Sequence, residues 1–232
     1  MSNKYTDRPF RHELKYYINQ KEAFLLQNRL ALTMDRDPNV NEYGEYHIRS
    51  LYFDDCVNSA ARDKLDGIEE RKKYRIRIYN LSDAQICLEC KQKVGQYIHK
   101  RTMEISRRVC EEICMGDGHS LLGSGNPLGR EMYFQLANRL LRPAVIVDYV
   151  REPFVSPVQD VRITFDKDLR TGVFSRDLFD PGLPTVSAMG GYDMILEVKF
   201  NEHLPAYYHG LLQVESAQRS AVSKYILCRK FE

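Results

Sequence analysis

No apolar run in the 232-residue chain approaches the roughly 20 residues that cross a bilayer as a helix. Residues 1–10 lack the apolar core of a secretory signal. An excess of one charge is lacking too, because 34 basic residues face 32 acidic ones, for a formal net charge of +2. Bulk electrostatics therefore gives no argument for nucleic acid as a partner. No internal repeat, low-complexity run or linker divides the sequence, so residues 1–232 are expected to form a single domain. The glycine-rich stretch 123–129 has no Gly-Lys-Ser/Thr after it and is not a P-loop. Gly-x-Ser-x-Gly, His-Glu-x-x-His and the Rossmann fingerprint are also missing. These absences lead to the expectation of a soluble, cytoplasmic protein without a transmembrane segment.

The composition present is that of a folded globular chain. Hydrophobic residues make up 43%, charged residues 28% and aromatics 11%, which excludes disorder as the main state. Six cysteines are spread along the sequence. Cys87 and Cys90 form a C-x-x-C on a segment that reads as a strand, so they fall on opposite faces and cannot readily share a metal. Cys110 and Cys114 are four apart on a helical stretch, with no second pair at zinc-finger spacing. All six are expected to be reduced and structural.

Eight segments have strand character: 12–18, 46–54, 72–80, 86–93, 97–105, 144–151, 161–167 and 193–200. Helices are expected at 20–32, 58–65 and 129–141 and through most of 206–229. Asn19 with Glu22 three residues on reads as a capping box for the first. The regular β-α-β alternation of a doubly wound sheet is missing. The expectation is an α+β fold, an eight-stranded antiparallel β-barrel flanked by helices with a C-terminal helix.

Read at period two, the strands separate apolar from charged residues. Glu13, Lys15 and Tyr17 share a face, as do Arg75 and Arg77. Glu89, Lys91 and Lys93 alternate with Leu88 and Cys90. Arg162, Thr164 and Asp166 alternate with Val161, Ile163 and Phe165, and Glu197 and Lys199 alternate with Leu196, Val198 and Phe200. Lys100, or its neighbour Arg101, and Arg151 add to the set. A plain solvated face would carry more serine, threonine and glutamine and a more even mix of charge. Two cations about 6 Å apart repel by roughly 3 kcal/mol at an effective dielectric near 20. Seven or more around one lumen therefore call for a polyanion. Arginine forks and lysine ammoniums suit phosphate oxygens, and a few glutamates suit Mg²⁺ or Mn²⁺ bridging those oxygens. The basic strands lack the interleaved aromatics of single-strand nucleic-acid binders.

The segments Arg11–Tyr16, Ser50–Asp54, Tyr74–Tyr79, Leu88–Lys93, Val150–Phe154, Val161–Asp166, Ile195–Phe200 and Ser223–Tyr225 resemble, in order, those of the triphosphate tunnel metalloenzymes. Within that superfamily the chain resembles the polyphosphate polymerase domain of the vacuolar transporter chaperone (VTC) family. The resemblance implies a barrel whose lumen is a triphosphate tunnel. It implies phosphate contacts from Lys15, Arg62, Arg75, Arg77, Lys91, Lys100, Arg151, Arg162, Lys199 and Lys224. Glu197 is implied as the main metal ligand, with Glu13 and Glu89 as helpers, Mn²⁺ or Mg²⁺ as cofactor and ATP as substrate. Arg62 and Lys224 come from the resemblance alone. Lys93 is expected at the tunnel mouth, His12 as structural, and Tyr52 and Asp54 either on the lumen or at a strand end.

Hydrolytic members of the superfamily open with an E-x-E-x-K strand. Here Arg11 stands at the first glutamate position, which exchanges an acid for a cation. The expected activity is transfer of the ATP γ-phosphate to a phosphate, pyrophosphate or polyphosphate acceptor. The alternatives are a tunnel triphosphatase acting on nucleoside or inorganic triphosphate, and a non-catalytic module that binds polyphosphate or inositol phosphates. A membrane partner would have to be a separate protein.

Overall fold

The computed structural model describes residues 5–172, 174–191, 193–213 and 218–231. The first half carries β1 (Tyr5–Ile18), α1 (Gln20–Ala31), β2 (Asp35–Arg36), β3 (Tyr46–Asp54), α2 (Ser59–Leu65), β4 (Arg71–Tyr79), β5 (Ser82–Val94) and β6 (Tyr97–Ile105). Then follow α3 (Arg107–Cys114), α4 (His119–Leu122), α5 (Pro127–Asn138), β7 (Arg142–Val155), β8 (Arg162–Thr171), β9 (Val186–Ser187) and β10 (Met194–Phe200). The chain ends through α6 (Ala206–Leu211), β11 (Gln218–Arg219) and α7 (Lys224–Arg229).

Eight strands close on themselves in the order β7-β3-β4-β5-β6-β1-β10-β8, with β8 returning to β7. Every pairing is antiparallel, so the fold is the expected barrel. Closure removes the exposed edges that an open sheet would leave. β1 begins seven residues earlier than the expected segment 12–18, and its register against β6 shifts between Arg8 and Arg11, across Pro9. Proline cannot donate to the ladder, and a bulge accommodates it.

Outward-facing apolar residues from alternate positions bind the helices. Ile76, Ile78, Leu88 and Cys90 pack with Ile113, Leu128 and Met132 of α3 and α5. Leu196, Val198, Ile163 and Phe165 pack with Leu26 and Leu30 of α1 and Tyr208 of α6. The capping box is present, because Asn19 Oδ1 accepts from the Glu22 amide at 2.9 Å and the Glu22 carboxylate accepts from the Asn19 amide at 3.0 Å. Cys87 and Cys90 do lie on opposite faces, and all six cysteines are free. No helix among the described residues is long and apolar enough to cross a membrane.

The expected helix through 206–229 is two short helices instead. Between them Gln218 and Arg219 pair with Tyr17 and Tyr16 of β1, and residues 220–223 run without regular structure along the lumen. Lys15 Nζ donates to the Val222 carbonyl at 3.2 Å and holds that run against the barrel wall.

Candidate functional site

A cavity of about 530 Å³ fills the barrel. Among the described residues, fourteen lysine and arginine side chains line it, against two carboxylates, Glu13 and Glu197. The alternation along each strand places them there. Glu13 and Lys15 project from β1, Arg75 and Arg77 from β4, Lys91 from β5 and Lys100 from β6. Arg151 projects from β7, Arg162 from β8, and Glu197 and Lys199 from β10. Lys224 reaches in from the first residue of α7.

Four acids, three of them buried, organise these cations. Glu197 bonds Lys224 at 2.7 Å, Lys199 at 2.8 Å, Arg151 at 3.2 Å and Lys15 at 3.4 Å. Asp166, fully buried, takes a two-pronged bond from Arg151 at 2.7 and 2.8 Å and a third from Lys224 at 2.5 Å. Glu13 holds Lys91 at 2.8 Å and Lys15 at 3.0 Å. Glu89 holds Arg75 at 2.6 Å and Lys100 at 2.7 Å, with Arg77 at 3.8 Å. Tyrosine hydroxyls finish the wall, with Tyr52 on Arg75 at 2.7 Å and Tyr46 on Arg162 at 2.9 Å.

Burial alone would raise the Glu197 carboxyl, yet Lys199, Lys224, Lys15 and Arg151 together hold it well below the usual carboxylate range. Glu89 behaves likewise under Arg75, Arg77 and Lys100. The lysines respond in the opposite sense. Burial, only partly offset by a Glu197 that four cations share, brings Lys199 down to about 7. Lys73 is brought down to about 6 by burial and then by Arg71, Lys15, Lys91 and Lys64.

These two lysines set a pH dependence. At pH 8 both are largely neutral in the free protein. Bound phosphate favours the ammonium form, so binding inorganic triphosphate takes up protons. Calorimetry at pH 8 in buffers of different ionisation enthalpy should show net uptake, and affinity should fall as pH rises further. Binding without uptake would contradict this account.

Two of the thirteen anticipated residues are not on the cavity wall. Arg62 lies exposed on α2, and Lys64 of the same helix reaches the cavity instead. Glu89 is only 1% exposed behind Arg75 and Lys100, where it serves as their counter-ion. Lys93 does reach the lining. His12 packs between Phe200 and Tyr97 at 5.0 and 4.9 Å while touching the cavity rim. Tyr52 lines the lumen. Asp54 instead accepts the amides of Ala60 and Ala61 at 2.9 and 3.1 Å at the start of α2, and the Tyr225 hydroxyl donates to it.

Sequence reasoning missed Arg71, Lys73 and Lys64 on the lining, and Asp166 as a counter-ion. Arg71 and Lys73 continue the two-residue period of Arg75 and Arg77, a signal present on the strand. Lys64 has no such signal, since a seven-residue helix gives little phase information.

Among the described residues no three His, Cys, Asp or Glu side chains cluster closely enough to hold a metal unaided. Mg²⁺-like sites in phosphoryl enzymes draw most ligands from water and substrate phosphates, with one or two carboxylates from the protein. Glu197 and Glu13 fit that role as the two lining carboxylates, with Lys15 bonded to both. Glu89 does not fit, because it lies off the cavity wall, behind Arg75 and Lys100.

The model of the VTC domain matches residues 10–231. The chain belongs to the VTC domain family. Among solved structures it is similar to HpAC1 from Hippeastrum, an adenylyl cyclase candidate described as having a dominant triphosphatase activity. That match has 16% identity, covers 97% of this chain and 96% of the other, and has a TM-score of 0.55. It is also similar to the PH1819 protein of Pyrococcus horikoshii OT3, at 15% identity over 94% and 97% of the two chains with a TM-score of 0.49. No curated protein sequence matches significantly. The VTC barrel thus shares its fold with HpAC1, and its cations are turned inward.

Proposed function

We propose that this VTC domain is a metal-dependent polyphosphate polymerase that transfers the γ-phosphate of ATP to a phosphate, pyrophosphate or polyphosphate acceptor. The observation that carries the reading is the lumen itself, where, among the described residues, fourteen cationic side chains face two lining carboxylates. Such an imbalance is costly in a buried space unless a polyanion neutralises it. Arg11 supports transfer over hydrolysis. It lines the cavity at the position where hydrolytic relatives carry an acid, and it is tied to Asp160 at 3.2 Å.

Arg75, Arg77, Arg151, Lys199 and Lys224 would grip the triphosphate oxygens, with Glu89, Asp166 and Glu197 fixing the cations in place. The acceptor's terminal oxygen attacks the γ-phosphorus. A new P–O bond forms, the bond from the γ-phosphorus to the β,γ-bridging oxygen breaks, and ADP leaves with that electron pair. Positioning and charge stabilisation supply the rate, with no protein nucleophile. Mn²⁺ or Mg²⁺ held by Glu197 and Glu13 would neutralise charge on the phosphates.

The test is incubation with ATP, Mn²⁺ and a trace of pyrophosphate, followed by gel analysis for chains and an assay for free phosphate. Chains with matching ADP are the expected result. Free phosphate without chains would transfer the protein to the triphosphatases, an activity described for HpAC1. Neither product would leave a phosphate-binding module.

A further inference from the structure

Two sets of cations in the cavity differ in their counter-ions. At its centre Lys15, Arg75, Lys91, Lys100, Arg151, Lys199 and Lys224 each have a carboxylate within 3.4 Å. On the wall formed by α2 and the start of β4, Lys64, Arg71 and Lys73 have none within 4 Å among the described residues. Asp63 acts on Arg71 only through space. The Arg71 guanidinium donates to the Ile68 carbonyl, and Lys73 Nζ reaches only the Ser223 hydroxyl at 3.3 Å.

The three are neighbours, because Arg71 and Lys73 stand two apart on β4, α2 packs against β4, and all three line the same cavity as Lys15; Lys64, Arg71 and Lys15 are among the charges that lower the Lys73 ammonium. Lys73 sits 4.7 Å over the ring of Tyr225, which also stacks with Tyr52 at 5.0 Å. What Lys64, Arg71 and Lys73 themselves offer is ammonium and guanidinium groups, which suit phosphate oxygens.

We infer that Lys64, Arg71 and Lys73 form a second anion subsite, which holds the inorganic acceptor chain while the central group holds the nucleotide's triphosphate. The inference rests on the polymerase reading for the word acceptor, but the subsite itself is readable by binding alone. Its position beside Lys15 continues the phosphate path from the centre toward α2. A chain longer than a triphosphate would therefore gain contacts that a triphosphate does not.

The test compares the affinities of inorganic triphosphate and long-chain polyphosphate for the full chain and for Lys73→Gln and Arg71→Gln, with Lys73→Arg as the conservative control. The unsubstituted protein should prefer the long chain. Each glutamine variant should lose about tenfold of that preference, as expected for a charge-assisted contact, and Lys73→Arg should keep it. The acceptor KM should rise more than the ATP KM. Circular dichroism and melting confirm that the variants fold, and Lys64→Gln, on an intermediate helix position, serves if they do not. A preference unchanged in every glutamine variant overturns the subsite. If the unsubstituted protein makes no chains yet the preference collapses in the variants, the polymerase reading fails and the subsite stands.

Discussion

Arg75→Ala is expected to lower turnover by about a thousandfold or more, the scale seen when an arginine that stabilises a transferring phosphoryl group is removed. The Arg75 side chain is 13% exposed, and its guanidinium is fixed between Glu89 at 2.6 Å and the Tyr52 hydroxyl at 2.7 Å. A side chain held from both sides is aimed in advance, so its contribution needs no reorganisation during the reaction. The fold should survive. Glu89 keeps Lys100 at 2.7 Å and Arg77 at 3.8 Å, and the stability loss is expected to be about 1–3 kcal/mol. Steady-state rates and thermal melting read the two effects separately. A folded variant with the original rate would remove Arg75, and with it the tunnel, from the chemistry.

Glu197→Gln is the second large effect, and here activity and stability should fall together. One carboxylate serves Lys15, Arg151, Lys199 and Lys224. Asp166 still covers Arg151 and Lys224, but Lys199 has no other acid within 4 Å among the described residues. Removing one partner of a buried ion cluster costs about 3–5 kcal/mol. Inorganic triphosphate should restore more stability to this variant than to the unsubstituted protein, because it replaces the missing negative charge. Turnover should not return, since Glu197 is also one of the two lining carboxylates available to a metal. Melting curves with and without triphosphate provide the check. Equal shifts in the two proteins would show that Glu197 does not balance the lumen.

Much of this arrangement was legible in the strands. A period of two puts Glu13 with Lys15, Arg75 with Arg77 and Glu197 with Lys199 on one face, and a closed sheet has only one inside. The chain beyond Phe200 was less legible. Its composition suits a helix throughout 206–229, but two backbone pairings with β1 and the Lys15 bond to the Val222 carbonyl draw the middle of that stretch onto the barrel. Tertiary contacts overrode local propensity there. Lys224 could be found only by resemblance, since nothing around it in sequence marks a residue that meets Glu197 and Asp166. Arg62 shows the converse limit. Resemblance selected the helix, but the phase of a two-turn helix decides which of its cations faces inward, and that is Lys64.

The neighbour relation of β1 and β10 bears on how the molecule assembles. Lys15 pairs across the ladder with Glu197, 182 positions further along the chain. The last large strand must therefore find the first before the sheet becomes a ring, and pairings of such long range form slowly. Until then two unpaired edges are exposed, and they are prone to recruit other chains. Over the same interval the inward cations lack the acid supplied by β10. An inorganic polyanion present during refolding would bridge them, so the ligand would act as a template for closure as well as an occupant of the closed barrel.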